Sequence, residues 1–223
     1  MKKTVLITGA SQGIGLALAK KFLQNDYQVI GTSRNGEVHG ITDKAFQAYK
    51  LDLTQNNSIQ SFKDLLISKD LQIDLLINNA GIGPDLNHML PEEESLRTTF
   101  ETNLFGTIFL TEALIPLLND SAKLINISSK MGAIGPCVSS CSPAYRMSKT
   151  ALNMYTKLLT NRFSGKYKVA VIHPGWVRTM ISGDDTSGRL SPEESAEGIF
   201  DFVISNFRNG MFWDVETRSE IEW

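Results

Sequence analysis

A chain of 223 residues, 42% hydrophobic and 21% charged, has the make-up of an ordinary globular protein with room for one well-cored domain over 1–223. Its net charge of −2 gives no electrostatic reason to expect nucleic acid or an anionic membrane as a partner. The opening apolar run ends at Thr8-Gly9, too short for an export signal, and Gly106, Thr107, Thr111 and Glu112 break the longest apolar stretch, Leu104 to Leu118. With only Cys137 and Cys141 there is no disulfide framework, so a reduced, cytoplasmic protein is expected.

Strand-like and helix-like segments alternate along the chain. Thr4–Thr8 reads as a short first strand, and Ile14–Asn25 as an amphipathic helix carrying Ile14, Leu18 and Phe22 on one face. Gln28–Ser33 and Phe46–Leu51 read as strands, Ile59–Leu71 as a helix and Asp74–Ile77 as a short buried strand. Pro91 with Glu92, Glu93 and Glu94 predicts the start of a long helix running to Leu118, because proline suits a first turn and carboxylates favour its positive end. Lys123–Ser128 is the next strand, Ala144–Phe163 the next helix, and Val169–Ile172 a strand that stops at Pro174-Gly175. Ser191-Pro192-Glu193-Glu194 is a capping box opening a helix through Ser205, and Met211–Val215 adds a last strand. The alternation predicts an α/β fold: a single Rossmann-type, doubly wound parallel sheet of about seven strands with helices on both faces.

Gly9, Ser11, Gln12, Gly13, Ile14 and Gly15 lie where the first strand turns into the first helix. A dinucleotide pyrophosphate needs a closely approaching backbone with free N–H groups at a helix N-terminus, and glycine permits both. The spacing is G-x-x-x-G-x-G, not G-x-G-x-x-G. At the end of the second strand, an acidic residue would bind ribose hydroxyls and repel a phosphate. This chain has Ser33-Arg34 there and no carboxylate before Glu37. Arg34 suits a 2′-phosphate and Ser33 can donate a hydrogen bond to it, which favours NADP over NAD; the alternative is a solvated surface arginine.

Tyr145 and Lys149 stand at i and i+4 on a predicted helix and so share a face. A neighbouring ammonium stabilises a phenolate and brings tyrosine closer to acid–base work. Ser128-Ser129 ends a strand on the sheet edge where such folds bind ligands, and Asn103 interrupts a helix-favouring segment. Each of these features taken singly also fits an ordinary structural role.

Together, in order along the chain, the glycine turn, Asp52-Leu53, Asn78-Asn79-Ala80-Gly81, Asn103, Ser129, Tyr145-x-x-x-Lys149 and Pro174-Gly175-x-Val177-x-Thr179 resemble the short-chain dehydrogenase/reductase family over nearly the whole length. The resemblance implies a tetrad of Asn103, Ser129, Tyr145 and Lys149. It implies adenine contacts at Asp52 and Leu53, a ribose-supporting segment at Asn79, Ala80 and Gly81, and nicotinamide-amide contacts at Val177 and Thr179 after the Pro174-Gly175 turn. Lys149 would also hold the nicotinamide ribose. Residues Tyr145–Asn153, His173–Thr179 and the ending Glu220-Ile221-Glu222-Trp223 are most similar to the C-factor/Sniffer-type subgroup. That subgroup implies NADPH-dependent reduction of an aldehyde or ketone, with the nicotinamide supplying hydride and Tyr145 the proton. The other class of role is cofactor-binding signalling of the C-factor type that does not need turnover. A small-molecule carbonyl partner and a homodimer or homotetramer are also implied.

The stretch between Ser129 and Tyr145 is a few residues longer than in much of the family and carries both cysteines. These admit two readings, plain free thiols or a redox switch over the site. Met180 to Arg189 corresponds to the family's substrate lid and is short; its Asp184-Asp185 reads as a solvated loop, and no metal site is expected. His173 beside Pro174 reads as structural. Trp176, Phe212 and Trp213 are candidates for either pocket lining or core.

Overall fold

A computed structural model of the chain describes residues 2–181 and 187–223; Asp184-Asp185 lies outside the described residues. The apolar segments pair as strands β1 (Thr4–Ile7), β2 (Gln28–Ser33), β3 (Phe46–Lys50), β4 (Ile73–Asn78), β5 (Leu118–Ile127), β6 (Lys168–His173), β7 (Met211–Asp214) and β8 (Ser219–Glu220). They form one eight-stranded sheet in the order β3-β2-β1-β4-β5-β6-β7-β8, parallel throughout except for β8 against β7. The order reverses between β1 and β4, and the crevice outside the carboxyl ends of strands at such a point is where open α/β sheets bind ligands.

Successive strand side chains alternate between two cores. Val5, Ile7, Leu75, Ile77 and Ile125 pack on the face covered by α1 (Gly13–Gln24) and α6 (Pro192–Ile204). Leu6, Leu76 and Leu124 enter the opposite core, beneath α2 (Asn56–Ser68), α4 (Thr107–Leu114) and α5 (Pro143–Arg162). A buried polar chain ties that second layer down. Asn78 Nδ2 donates to Thr111 Oγ1 at 2.9 Å and to Asn126 Oδ1 at 2.8 Å, and Asn126 Nδ2 donates to Thr156 Oγ1 at 2.8 Å. Each such bond contributes about 1 kcal/mol net, but a partner left unpaired in the core costs about 1–3 kcal/mol, so the chain chiefly sets the register of α4 and α5 on the sheet.

Three elements differ from the sequence reading. The helix expected from Glu92 to Leu118 is a relay of α3 (Glu93–Phe100), a π-helical turn (Glu101–Gly106), α4 and a 3₁₀ turn (Ile115–Leu117). Pro91 precedes the Glu92 cap and so lies outside the first turn. The π turn follows from packing: a Cβ on Gly106 would sit 2.3 Å from the Leu53 carbonyl oxygen, so backbone meets backbone there. β5 starts at Leu118, ahead of the expected Lys123, passing an irregularity with Ser121 at φ 64°. β8 is two polar residues, with no apolar pattern to betray it. The capping box at Ser191 forms as expected, with Pro192 in the first turn of α6.

Candidate active site

β1 delivers the chain into a turn in which Gly9 and Gly13 adopt φ of +68° and +53°, values L side chains rarely take. Gly15 is held tighter still, since a Cβ there would lie 2.1 Å from the Gly9 carbonyl oxygen. The turn is tied to the end of β4: Thr8 Oγ1 accepts from the Asn79 and Ala80 amides at 2.9 and 3.0 Å, and Asn79 Nδ2 donates back to the Thr8 carbonyl at 2.9 Å. No side chain caps α1 and its first turn holds no acidic residue, so its N–H groups and positive end face the cleft uncompensated.

A cleft of about 610 Å³ opens over this turn. Its walls include Gly9, Ser11, Gln12, Gly13, Ile14, Gly15, Ser33, Arg34, Asp52, Leu53, Asn79, Ala80, Gly81 and Thr179. Arg34 is exposed at its rim, with no hydrogen bond or ion pair among the described residues. Ser33 behaves differently from the expectation of a free donor. Its hydroxyl is directed to the Glu37 carbonyl at 2.8 Å and to Asn35 Oδ1 at 2.9 Å, inside its own loop.

Asn103 and Lys149 meet at Gly81 on the cleft wall, Lys149 lies beside Tyr145, and Tyr145 meets Ser129. A Cβ on Gly81 would lie 3.3 Å from Asn103 Oδ1 and 3.4 Å from Lys149 Nζ, so both polar groups approach the bare Cα in the cleft wall. Asn103 lies in the π turn and clamps Ile82, accepting from its amide at 2.8 Å and donating to its carbonyl at 2.9 Å. Lys149 Nζ donates to the Ile127 carbonyl at 3.0 Å and lies 5.6 Å from the Tyr145 ring centre. Burial brings the Lys149 ammonium down to about 8 and pushes the Tyr145 hydroxyl up to about 12, where hydrogen bonding with Ser129 works against the rise. Burial thus outweighs the lowering of the tyrosine that the lysine was expected to bring. Of the two strand-end serines, Ser128 bonds the Lys149 carbonyl at 3.4 Å, while Ser129 is the one that meets Tyr145.

The Pro174–Thr179 segment is held apart from this cluster by its own ladder. Gly175 has φ +88°, and Val177 bridges to Leu190 through Arg178 N–H to Leu190 O at 3.0 Å. Thr179 lines the cleft, whereas Pro174, Gly175 and Val177 are not among its walls. Phe212 is fully buried and Trp213 stacks on Phe202 at 5.1 Å, so both belong to the packing, while Trp176 is 44% exposed. Burial holds His173 well below the ordinary histidine range, hence neutral, against the pull of Asp214.

Several contributors are invisible to sequence reasoning. Asp85, 2% exposed, accepts from the Ala144 and Tyr145 amides at 2.6 and 3.2 Å, capping α5 from a loop far away in the chain. The residue at the cap position, Ser142, is left-handed at φ 60° and makes no side-chain cap. Gly132 packs its bare Cα against the Lys149 backbone and accepts from Thr150 Oγ1 at 2.9 Å and Asn153 Nδ2 at 3.1 Å, fixing the Ser129 turn on α5. Arg178 lines the cleft but spends its guanidinium on the Gly188 and Arg189 carbonyls at 2.9 and 3.1 Å. No short local pattern announces any of these.

Residues 3–189 match the family model described as short chain dehydrogenase. Carbonyl reductase family member 4 of Xenopus laevis is 31% identical, with 94% of each chain covered. Among solved structures, an NADP-bound short-chain dehydrogenase/reductase of Burkholderia multivorans superposes with a TM-score of 0.89 at 28% identity, covering 100% of both chains. The carbonyl reductase Sniffer of D. melanogaster superposes with 0.88 at 28% identity, again over 100% of both. With that glycine turn, that sheet order and these matches, the chain belongs to the short-chain dehydrogenase/reductase family of oxidoreductases.

Proposed function

We propose that the chain reduces an aldehyde or ketone to an alcohol with NADPH, using Tyr145 as proton donor. The observation that carries this reading is that Asn103 and Lys149 meet at Gly81 in the wall of the cleft while Lys149 lies beside Tyr145, which meets Ser129. The cleft fits a dinucleotide: Gly9 and Gly15 let the turn pack tightly on itself and on Asn79 and Ala80 in the cleft wall, and α1 begins there with no side-chain cap and no first-turn acid. Gly9–Gly15 would hold the pyrophosphate, Asp52 and Leu53 the adenine side, Asn79–Gly81 the ribose, and Val177 and Thr179 the carboxamide, with Pro174 and Gly175 as support. When bound, the nicotinamide supplies hydride.

The protein's own part is to place and protonate. At neutral pH the Tyr145 hydroxyl, pushed up to about 12, retains its proton and is ready to give it to a developing alkoxide. Ser129 orients the carbonyl oxygen by a hydrogen bond. Lys149 presents a charge beside the ring that stabilises the phenolate left behind, and holds the ribose hydroxyls. Asn103, by clamping Ile82, keeps the wall behind Lys149 fixed. Measured NADPH consumption across a panel of aldehydes and ketones tests the reading; folded protein that binds NADPH but turns over none of them contradicts it.

Arg34 is the proposed 2′-phosphate partner, being exposed, at the cleft rim and unengaged among the described residues. Arg34→Ala is expected to weaken NADPH binding about 10- to 100-fold, the worth of one charge-assisted contact, while NADH affinity stays within about twofold. Titration of both cofactors checks this, and equal wild-type affinities for the two would refute the phosphate assignment.

A homo-oligomer is proposed through α4 and α5. Phe109 is 52% exposed, and Met147, Met154 and Leu158 form an exposed stripe at helical spacing on α5. The two helices are clasped by Tyr155 Oη donating to Glu112 Oε1 at 3.0 Å and by Arg162 pairing with Glu112 at 2.8 Å. Light scattering should give a multiple of the chain mass for wild type and the monomer for Phe109→Glu/Leu158→Glu; a monomeric wild type at micromolar concentration overturns the proposal.

A further inference from the structure

The loop ahead of Tyr145 holds two thiols on one cation. Arg146 Nη1 lies 3.8 Å from Cys137 Sγ and Nη2 lies 3.8 Å from Cys141 Sγ, while Nε donates to the Cys141 carbonyl at 2.7 Å. Ser139 lies between them. Its hydroxyl is 3.0 Å from Cys141 Sγ and accepts from the Cys141 amide at 3.3 Å, and its carbonyl accepts from Cys137 Sγ at 3.5 Å. Both cysteines are free, Cys137 is exposed, and Val138 between them is 100% exposed, so small molecules reach the pair.

We infer that this loop is a thiol–disulfide exchange site, with Cys141 as the attacking thiolate, Cys137 as the resolving thiol and a small-molecule disulfide such as oxidised glutathione as co-reactant. A thiolate needs an electropositive, hydrogen-bonding and accessible setting, and Cys141 has all three. Hydrogen bonds from Ser139, Ser142 and Arg146, in that order, bring its thiol down to about 7. Attacking thiols work best when their pKa lies near the ambient pH, because nucleophilicity falls as the thiolate becomes more stable.

The chemistry balances in two exchanges. The Cys141 thiolate attacks one sulfur of oxidised glutathione, forming a mixed disulfide and expelling one glutathione thiolate. Cys137, losing its proton to solvent, attacks Cys141 Sγ; the Cys137–Cys141 bond forms and the second glutathione thiolate leaves. Two protein thiols are oxidised and one small disulfide is reduced to two thiols. The closing bond needs Cα atoms about 4.4–6.8 Å apart. Both thiols lie 3.8 Å from one guanidinium, and residues 137–140 that join them are exposed.

The effect of oxidation on turnover rests on the proposed role of Tyr145, whereas the exchange itself does not. The loop is anchored just before α5: Ser142 N–H donates to the His88 carbonyl at 2.7 Å, and Asp85 caps the helix. A Cys137–Cys141 bond therefore reshapes the loop that runs into the start of α5 while leaving the tyrosine seated. The expected signature is a several-fold rise in KM for the carbonyl with unchanged cofactor affinity.

Intact-mass and peptide analysis of the folded chain treated with oxidised glutathione near pH 7.4 tests the exchange. Wild type should end with an internal Cys137–Cys141 disulfide, Cys137→Ser should stop as a glutathione adduct on Cys141, and Cys141→Ser should react about 2- to 5-fold more slowly. Arg146→Met, checked for folding by thermal melting, should move the pH at which the first step reaches half its maximal rate upward. Equal reaction of the two cysteines, or a wild-type rate no greater than that of an unstructured cysteine peptide, overturns the site. If the disulfide forms but carbonyl KM is unmoved, the effect on the site is refuted and the exchange stands. If reduced protein turns over no carbonyl, the failure lies with the proposed function and not with the thiols.

Discussion

Tyr145→Phe is expected to lower carbonyl turnover by about 10²–10⁴-fold, the usual worth of a positioned general acid, while NADPH still binds within about twofold of wild type. The variant loses one oxygen from a side chain that is 8% exposed and packed by its ring, so folding should be kept. Its single deletion is the proton that would go to the alkoxide. Steady-state kinetics with cofactor titration checks both halves, and a variant within tenfold of wild-type kcat would remove Tyr145 from the reaction. The same pair predicts a pH profile for reduction. Tyr145 retains its proton up to about 12, so the first group to change is Lys149, whose working, charged form is lost as pH rises through about 8. Rate should hold through neutral pH and decline above 8; a rate still climbing above pH 9 would contradict this assignment.

Gly15→Ala should abolish cofactor binding, with NADPH affinity down at least about 100-fold, and lower stability by about 1–3 kcal/mol as overpacked sites do. The added methyl would sit 2.1 Å from the Gly9 carbonyl oxygen and 2.6 Å from Asn79 Nδ2. Neither neighbour is free to retreat. Gly9 is turn backbone at φ +68°, and Asn79 Nδ2 is held by the Thr8 carbonyl at 2.9 Å. Relief requires displacing the turn that walls the cleft. Gly135→Ala, where an added Cβ meets nothing within 4 Å, is the control for the loss of a glycine as such. NADPH fluorescence titration with thermal melts distinguishes the two, and Gly15→Ala binding with wild-type affinity would mean that the turn is not the cofactor cradle.

Elements whose evidence is local were legible in the sequence. β2 spans Gln28–Ser33 as expected because Val29, Ile30 and Thr32 are β-branched, and every residue after Gln28 is buried. The α6 start was readable because capping box, proline and first-turn acids all lie within four residues. The long helix from Glu92 was only partly readable, since its break depends on Gly106 meeting the Leu53 carbonyl, a residue far off in the chain. The Ser33 hydroxyl could not be foreseen either, because its acceptors depend on how residues 34–37 fold back.

The candidate site residues divide along the same line. Tyr145 and Lys149 lie one turn apart on a helix, a relation of period 3.6 that sequence alone determines, as it does the glycine turn between a strand and a helix. Tertiary structure alone decided that Asn103 clamps Ile82, that Asp85 caps the helix bearing Tyr145, and that Gly81 and Gly132 let Lys149 pack so closely. It also decided that burial, more than the lysine, governs the tyrosine's proton. The physical reason is the same in each case. Periodicity and turn chemistry act between neighbours in the chain, whereas desolvation and close backbone approach depend on atoms that only the folded sheet brings together.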